Sequence, residues 1–507
     1  MDTVKKINEI LVSLFNSVLK MEERALQDST SPNLSITEIH TLEAIGAGKP
    51  KTMTQVAGTL KISVGTLTVA ISKLVKKGYV ERSRVSEDRR VVKIWLTEEG
   101  KATVTEHQKF HEAMVRDAIS DLSEEDTARF MQSIETINQF FLMQKTKHLK
   151  SNNSLELKPI NLGELKIPVP IFQGGMGIGV SMSRLAGAVA NCGGVGVISG
   201  AQSGYSEPDF EKAVVTANIR AIKRNIKEAL AAVAGNSEAG PIGVNIMCAQ
   251  KNYEEYVTAA IEAGAQIIIS GAGLPTALPG ISKTENVKLI PIVSSARATG
   301  LIIKSWAKKH NRVPDAVIFE GPLAGGHLGF KEEQLDLAQE NFYKTITEIK
   351  AELQNLPNCP LIVGGGIFTK ADALKAMSYG ADGVQIGTRF VTTVECDAPM
   401  EFKQAYINCK EQDILIIKSP VGMPGRAIKN SFSNKITNEG QRETIKKCNG
   451  CLIPCNPAEA PYCITEALVR AARGDADKGL VFCGANAYKC DKIERVEDIF
   501  KEFMAGN

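Results

Sequence analysis

The spacing of apolar residues changes character once along the chain. In the first part Ile7, Ile10, Leu11, Leu14, Phe15 and Leu19 recur at three- and four-residue steps, the period of an amphipathic helix. SITEIHTLEAIGAG announces a second helix, with Ser35 and Glu38 at capping-box spacing. TMTQVAGTL and SVGTLTVAISKLVKKG predict two short helices about one turn apart. Thr52 or Thr54 can cap the first and Ser63 the second, and Gly78 is placed as a C-terminal stop. YVERSRV and VVKIWLT read as strands joined by SEDRR. Three helices and a charged hairpin in this order predict a mainly α winged helix-turn-helix.

Past the polar connector SNNSLELKPINLGE the period shortens. Eight apolar runs end at Gly or a polar group: PIFQGG (170–175), VGVISG (195–200), IGVNIM (242–247), QIIISGAG (266–273), KLIPIVSS (288–295), AVIFEG (316–321), PLIVGGGI (360–367) and GVQIGTRF (383–390). Helical stretches such as YEEYVTAAIEAG lie between them, the alternation of parallel βα units. Eight such units predict an α/β TIM (β/α)₈ barrel, with a doubly wound open sheet as the runner-up. The pattern divides the chain into a winged-helix domain (1–148), a linker (149–163), a barrel (164–430) and a Cys-rich C-terminal segment (431–507) expected to pack on the barrel.

Composition narrows the function. Sixty Lys and Arg against 57 Asp and Glu leave a formal charge of +3, so a whole-chain polyelectrolyte partner is not expected. No run reaches the ~18 apolar residues of a membrane span, and the N-terminus does not read as a secretory signal. A cytoplasmic protein without membrane contact is the expectation. Of 11 cysteines none precedes Cys192 and six fall in the final stretch, which speaks for local ligation or redox chemistry rather than a disulfide scaffold.

The third helix carries small polar groups, Ser63, Thr66, Thr68 and Ser72, with Lys73, suited to base edges in a major groove. Arg84, Arg89 and Arg90 on the hairpin supply phosphate-neutralising charge. Double-stranded DNA is the partner this arrangement predicts.

Active groups of (β/α)₈ barrels lie at the C-terminal ends of strands. GGG at 364–366 and QIGT at 385–388 stand after strands 7 and 8, where backbone N–H groups and the Thr388 hydroxyl can hold a phosphate. Gln173, Asn245, Glu320 and Gln385 could ring a flat heteroaromatic ligand with Met176 against its face, a lining that suits a flavin phosphate. His327 is the one histidine of six in a Gly-rich loop at a strand's catalytic end, a position for general acid–base work. Cys448, Cys451, Cys455 and Cys463 have the compact spacing of an iron–sulfur or zinc site, with reduced cysteines packed over the barrel mouth as the alternative. SPVGMPGRAIKN could also cover the ligand pocket.

Two resemblances sharpen this reading. KKGYVERSRVSEDRRVVKIWLTEEG, with Asp88, Arg90 and Leu96-Thr97, resembles the wing of MarR-type regulators. That resemblance implies a homodimer, formed by the first helix and helices from about 102 to 148, that spaces two recognition helices one DNA turn apart. PIFQGGM, GVNIM, SGAG, AGGHLG, GGGI and GADGVQIGTRF resemble the nitronate monooxygenase (2-nitropropane dioxygenase-like) family, which includes type II FMN-dependent enoyl-ACP reductases. It implies FMN held by Gln173, Gly174, Gly175, Met176, Asn245, Glu320, Gly325, Gly365, Gly366, Gln385, Gly387 and Thr388, with His327 as the base that removes the proton α to a nitro group. Glu320 stands where some monooxygenases carry Gln, and a negative charge there would alter the flavin.

Three functions follow as expectations. The first is a flavoenzyme that oxidises a small nitro compound and returns electrons to O₂. The second is an NAD(P)H-dependent reductase of an enoyl thioester. The third is a transcription regulator that uses the flavin barrel as a sensor.

Overall fold

The computed structural model describes residues 33–48, 50–60, 64–84 and 92–123, single positions within 6–25 and 126–134, and residues 156–505 apart from 357, 438–441 and 446. The chain forms two compact units, residues 1–141 and 142–507.

In the first unit the helices are α1 (Ile36–Ile45), α2 (Met53–Leu60), α3 (Val64–Lys76) and α4 (Glu98–Ala118), and the strands β1 (Lys51–Thr52), β2 (Val80–Arg84) and β3 (Val92–Leu96). Ser35 and Glu38 close the expected capping box on α1. Thr52 does the same for α2 through Gln55, whose backbone N–H reaches the Thr52 hydroxyl at 3.2 Å while its amide oxygen accepts from the Thr52 N–H at 2.8 Å. Leu67, Ile71 and Leu74 of α3 are buried at helical spacing against Leu42 and Ile45 of α1. β2 and β3 pair antiparallel from Val80↔Leu96 to Arg84↔Val92, and β1 adds a short third strand on β3. Ser63, Asp88, Arg89, Arg90, most of the first helix and the region after 134 lie outside the described residues, as does the side chain of Arg84.

The second unit begins with a hairpin, β4 (Ile160–Leu162) and β5 (Leu165–Ile167). Eight strands follow in the predicted positions: β6 (Ile171–Gln173), β7 (Gly196–Ser199), β8 (Ile242–Met247), β9 (Ile267–Gly271), β10 (Lys288–Val293), β11 (Val317–Glu320), β13 (Leu361–Gly364) and β14 (Gly383–Ile386). The two-residue β12 (Gly326–His327) interrupts the count. All neighbours are parallel, in the order β6-β14-β13-β11-β10-β9-β8-β7. β6 meets the start of β7 through a parallel bridge, Phe172↔Val195, with N–H···O bonds of 3.0 Å and 2.9 Å. The sheet is therefore a closed TIM barrel, and the open-sheet alternative is excluded.

Side chains alternate across the wall as the pleat requires. Phe172, Val197, Ile267, Ile269, Ile318 and Ile362 fill the interior, where Leu162 and Ile167 of the hairpin join them and plug one end. Ile171, Val317, Phe319, Leu361, Val363, Val384 and Ile386 face the helices. The same parity turns Asn245, Glu320 and Gln385 inward at the other end.

The C-terminal segment lies in the same compact unit as the barrel. β15 (Ile414–Lys418) and β16 (Pro424–Ile428) form a hairpin, and β16 pairs with β12. The last helix, Val496–Met504, packs on the first barrel helix, Ser183–Asn191, and stacks Phe500 on Phe390 at 6.2 Å. It thus covers the seam between the eighth and first strands. Buried Arg389 fastens it there, with Nε and one terminal nitrogen each 2.9 Å from the Glu494 carboxylate and further bonds to Glu502.

Candidate active site and winged helix

Parity and glycine shape a cavity of about 660 Å³ at the C-terminal ends of the strands. Gly174, Gly175, Met176, Asn245, Glu320, Gly325, His327, Gly365, Gly366, Gln385, Gly387 and Thr388 all line it. Gly365 and Gly366 have φ of +85° and +106°, a conformation that side chains disfavour, and they turn the chain sharply after β13. A Cβ at Gly175 would come within 2.3 Å of the Asn245 side chain, so glycine there lets Asn245 stand beside the first loop.

Gln173 does not line the cavity, contrary to the sequence expectation. Ile171 faces the helices and Phe172 the lumen, so Gln173 points outward again. Its amide nitrogen donates to Ser181 Oγ and Val197 O at 2.9 Å each, and its Oε1 accepts from Val197 N–H at 3.2 Å. This side chain ties β6 to β7 where the barrel closes.

Glu320 and His327, both on the wall, are shifted in opposite directions by the same cause. Burial pushes the Glu320 carboxyl up to about 7 and the His327 imidazole down to about 4. At neutral pH His327 is uncharged, and burial favours the protonated form of Glu320, which can donate a hydrogen bond. His327 Nε2 lies 2.7 Å from Ser419 Oγ, and its ring meets Phe482 edge-on at 5.1 Å.

The C-terminal half completes the wall: Met423 and Pro424 come from the segment expected to cover the pocket, while Phe482, Cys483 and Gly484 were missed by sequence reasoning. Arg426 is buried with no carboxylate partner among the described residues. It donates to the carbonyl of Pro322 at 2.8 Å and to that of Ala324, which fixes the loop leading to His327. A side chain at Gly484 would meet Thr388 Oγ1 at 2.3 Å, so glycine keeps that hydroxyl open to the cavity. The fragment SPVGMPGR is the signal that pointed here; LVFCGAN offered a similar apolar run ending in Gly.

The wall fits FMN. Two left-handed glycines and the start of the short helix Thr388–Val391 offer backbone N–H groups and a hydroxyl for a phosphate. Gln385 Oε1 is buried without a hydrogen-bond partner among the described residues, an acceptor that a ring N–H would satisfy.

The four tail cysteines come together beside this site. Burial pushes the thiols of Cys451, Cys455 and Cys463 up, and mutual repulsion among them and Cys448 adds to the effect. Among the described residues no three of these sulfurs lie within 4.8 Å of one another. A zinc ion, with Zn–S near 2.3 Å, needs them about 3.8 Å apart, so the set is too open for tetrahedral zinc as it stands. Cys451, Cys455 and Met247, the last also lining the cavity, pack against one apolar cluster.

On the winged helix, Thr66, Thr68, Ser72 and Lys73 are all exposed on α3. The Ser72 hydroxyl donates to Thr68 O at 2.8 Å and accepts from Arg82 at 3.3 Å. The remaining predicted contacts, Ser63, Arg84, Arg89 and Arg90, have no described side chains.

A closed parallel barrel with a cavity at the C-terminal ends of its strands, joined to a winged helix, defines a two-part protein. The nitronate monooxygenase family matches residues 158–506, and the chain belongs to that family. The MarR family matches residues 34–92. A probable nitronate monooxygenase of Staphylococcus saprophyticus is 27% identical over 296 residues, 54% of this chain and 79% of that one. A hydroxy-methyl-oxo-octahydro-indene-carboxyl-CoA dehydrogenase of Rhodococcus jostii is 26% identical over 271 residues, 54% of this chain and 65% of that protein, just under two thirds of its length. The structure of FabK from Thermotoga maritima aligns with a TM-score of 0.50 and 25% identity over 66% of this chain and 91% of that chain. No helix among the described residues is long and apolar enough to cross a membrane.

Proposed function

We propose that the barrel is an FMN-dependent oxidoreductase of the nitronate monooxygenase type, acting on a small nitro compound with O₂ as electron acceptor. The observation that carries this reading is the pairing of a neutral, half-buried imidazole with a cavity suited to a flavin. Bound FMN supplies the acceptor for the electrons that leave the substrate. His327, uncharged at neutral pH, takes the proton from the carbon next to the nitro group. Ser419 holds the imidazole through Nε2, Phe482 limits its rotation, and Arg426 fixes the loop on which it stands. Glu320 and Gln385 would hydrogen-bond the flavin ring, and Gly365, Gly366, Gly387 and Thr388 would hold its phosphate. Anaerobic mixing of the purified protein with a nitronate tests this by loss of the oxidised-flavin absorbance.

A second reading uses the same cavity for NAD(P)H-dependent reduction of an enoyl thioester. The named CoA-ester dehydrogenase relative supports it. Loss of flavin absorbance on adding NADH alone decides for this reading.

The winged helix is read as a homodimeric double-stranded DNA reader, with α3 in the major groove and the β2–β3 wing on phosphates. The flavin barrel then reports its state to the DNA in the sensor version of this proposal. The tail cysteines are read as ligands of an iron–sulfur cluster, whose sulfurs sit farther apart than those of a zinc site. The compact sequence spacing of Cys448, Cys451, Cys455 and Cys463 is what supports that reading.

A further inference from the structure

The winged-helix unit gathers three histidines and a glutamate that are not among its predicted DNA-reading residues. Glu22, at a helical position, is buried with no Lys or Arg paired to it among the described residues. Its Oε1 lies 3.0 Å from His111 Nε2 and 3.9 Å from His40 Nε2. His111 and His107 sit one turn apart on α4, with ring centroids at 4.6 Å, and His40 on α1 turns its edge to His107 at 5.9 Å. Ligand atoms of Glu22, His107 and His111 all fall within 4.8 Å of one another.

His107 supplies the independent observation. Its side chain is buried, its Nδ1 is 2.9 Å from Glu43 Oε1, and its Nε2 has no hydrogen-bond partner among the described residues. With Nδ1–H donating to the carboxylate, Nε2 is left as a bare lone pair in the interior. A structural histidine would be expected to use both nitrogens. A carboxylate behind one ring nitrogen and an open lone pair on the other is the arrangement of a metal-ligating histidine.

We propose that Glu22, His40, His107 and His111 form a binding site for a borderline divalent transition-metal ion, of which zinc is the type. Three imidazoles and one carboxylate match its preference for N and O donors at about 2.0–2.2 Å, which sets neighbouring ligand atoms about 3.3–3.5 Å apart. The observed 3.0 and 3.9 Å bracket that spacing. Glu43 orients His107 and is a positioning residue, not a ligand. The ion would tie α1 and α4 to the helix bearing Glu22, in a unit separate from the barrel.

The test uses the full chain, stripped of metal, with Zn²⁺ titrated against a chromophoric chelator and Co²⁺ as spectroscopic reporter. Co²⁺ at this site gives visible d–d bands without the intense near-ultraviolet charge transfer of thiolate ligation, which separates it from the tail cysteines. His40 and His111 are partly exposed, so His40→Ala and His111→Ala leave the core intact. Each is expected to lose the thiolate-free Co²⁺ bands and the matching zinc equivalent. Glu43→Gln keeps every ligand and is expected to weaken zinc binding by about 10- to 100-fold. Zinc is also expected to raise the melting temperature of the parent chain and not that of His111→Ala. Unchanged zinc stoichiometry and affinity in His111→Ala and Glu43→Gln, or Co²⁺ spectra showing thiolate ligation alone, would overturn the proposal.

Discussion

His327 Nε2 stands 2.7 Å from Ser419 Oγ, joining the loop after β11 to the turn between β15 and β16. The candidate base is thus held by a residue 92 positions away, brought there because β12 pairs with β16. His327→Ala is expected to keep FMN, whose assigned contacts lie mainly on other strands. It should lower turnover of a neutral nitroalkane by about 10²–10⁴-fold, the usual effect of losing a general base. A preformed nitronate needs no proton removed, so its turnover should fall far less. Equal losses on both substrates would assign His327 to substrate positioning instead.

Glu320 predicts a pH dependence of stability in the flavin-free protein. Its carboxyl keeps its proton up to about pH 7 when folded, against an ordinary value of 4.5. Between those values the folded chain binds more protons than the unfolded chain. The contribution is therefore complete below pH 4.5 and is lost as pH rises through 7. At 1.36 kcal/mol per unit the loss is of the order of 3 kcal/mol. Urea denaturation at pH 5 and pH 8 should show Glu320→Gln flattening this part of the profile. An identical profile in parent and variant would place the carboxyl in water.

Gln173 and Gln385 are predicted to part company. Gln173→Ala breaks three buried hydrogen bonds at the barrel seam and should destabilise the fold by about 1–3 kcal/mol, measured by urea denaturation. Gln385→Ala removes the unpartnered acceptor on the cavity wall and should weaken FMN binding instead, measured by fluorescence titration of the flavin-free protein. If Gln173→Ala leaves stability intact and weakens FMN binding, the outward orientation is refuted.

Much of the fold was legible because a barrel writes itself plainly. Each strand is a short apolar run stopped by Gly, and the cavity lies where those stops gather. Gln173 was misread because an amide at a strand end gives no sign of its face; counting from Phe172, an interior residue, would have shown it. Ser419 and Arg426 act through a strand pairing between distant segments, which no local pattern encodes. The ionisation of Glu320 depends on burial that the assembled cavity alone creates. His40, His107 and His111 read as ordinary helical positions, since Glu22 and α1 meet α4 only in the folded unit.

The winged helix predicts salt-dependent binding to promoter DNA. Replacing Arg89 and Arg90 together should weaken binding to all sequences and reduce the salt slope by about 1 for each phosphate no longer neutralised. Lys73→Ala on the exposed face of α3 is the comparison. A slope unaffected by the wing substitutions would remove the wing from the DNA interface.

The cysteine loop predicts iron and acid-labile sulfide in protein purified without oxygen, with absorbance near 400 nm beyond that of flavin. Cys448→Ser and Cys463→Ser should each abolish it. Protein with neither iron nor sulfide would leave these residues as packed thiols.

The central claim, that the barrel passes electrons from a nitro substrate to a flavin, is tested most directly by anaerobic absorbance spectroscopy of the purified full-length chain. The account predicts an oxidised-flavin spectrum that is lost on adding a nitronate and unchanged on adding NADH. A flavin spectrum unmoved by nitronate and lost with NADH alone would contradict it.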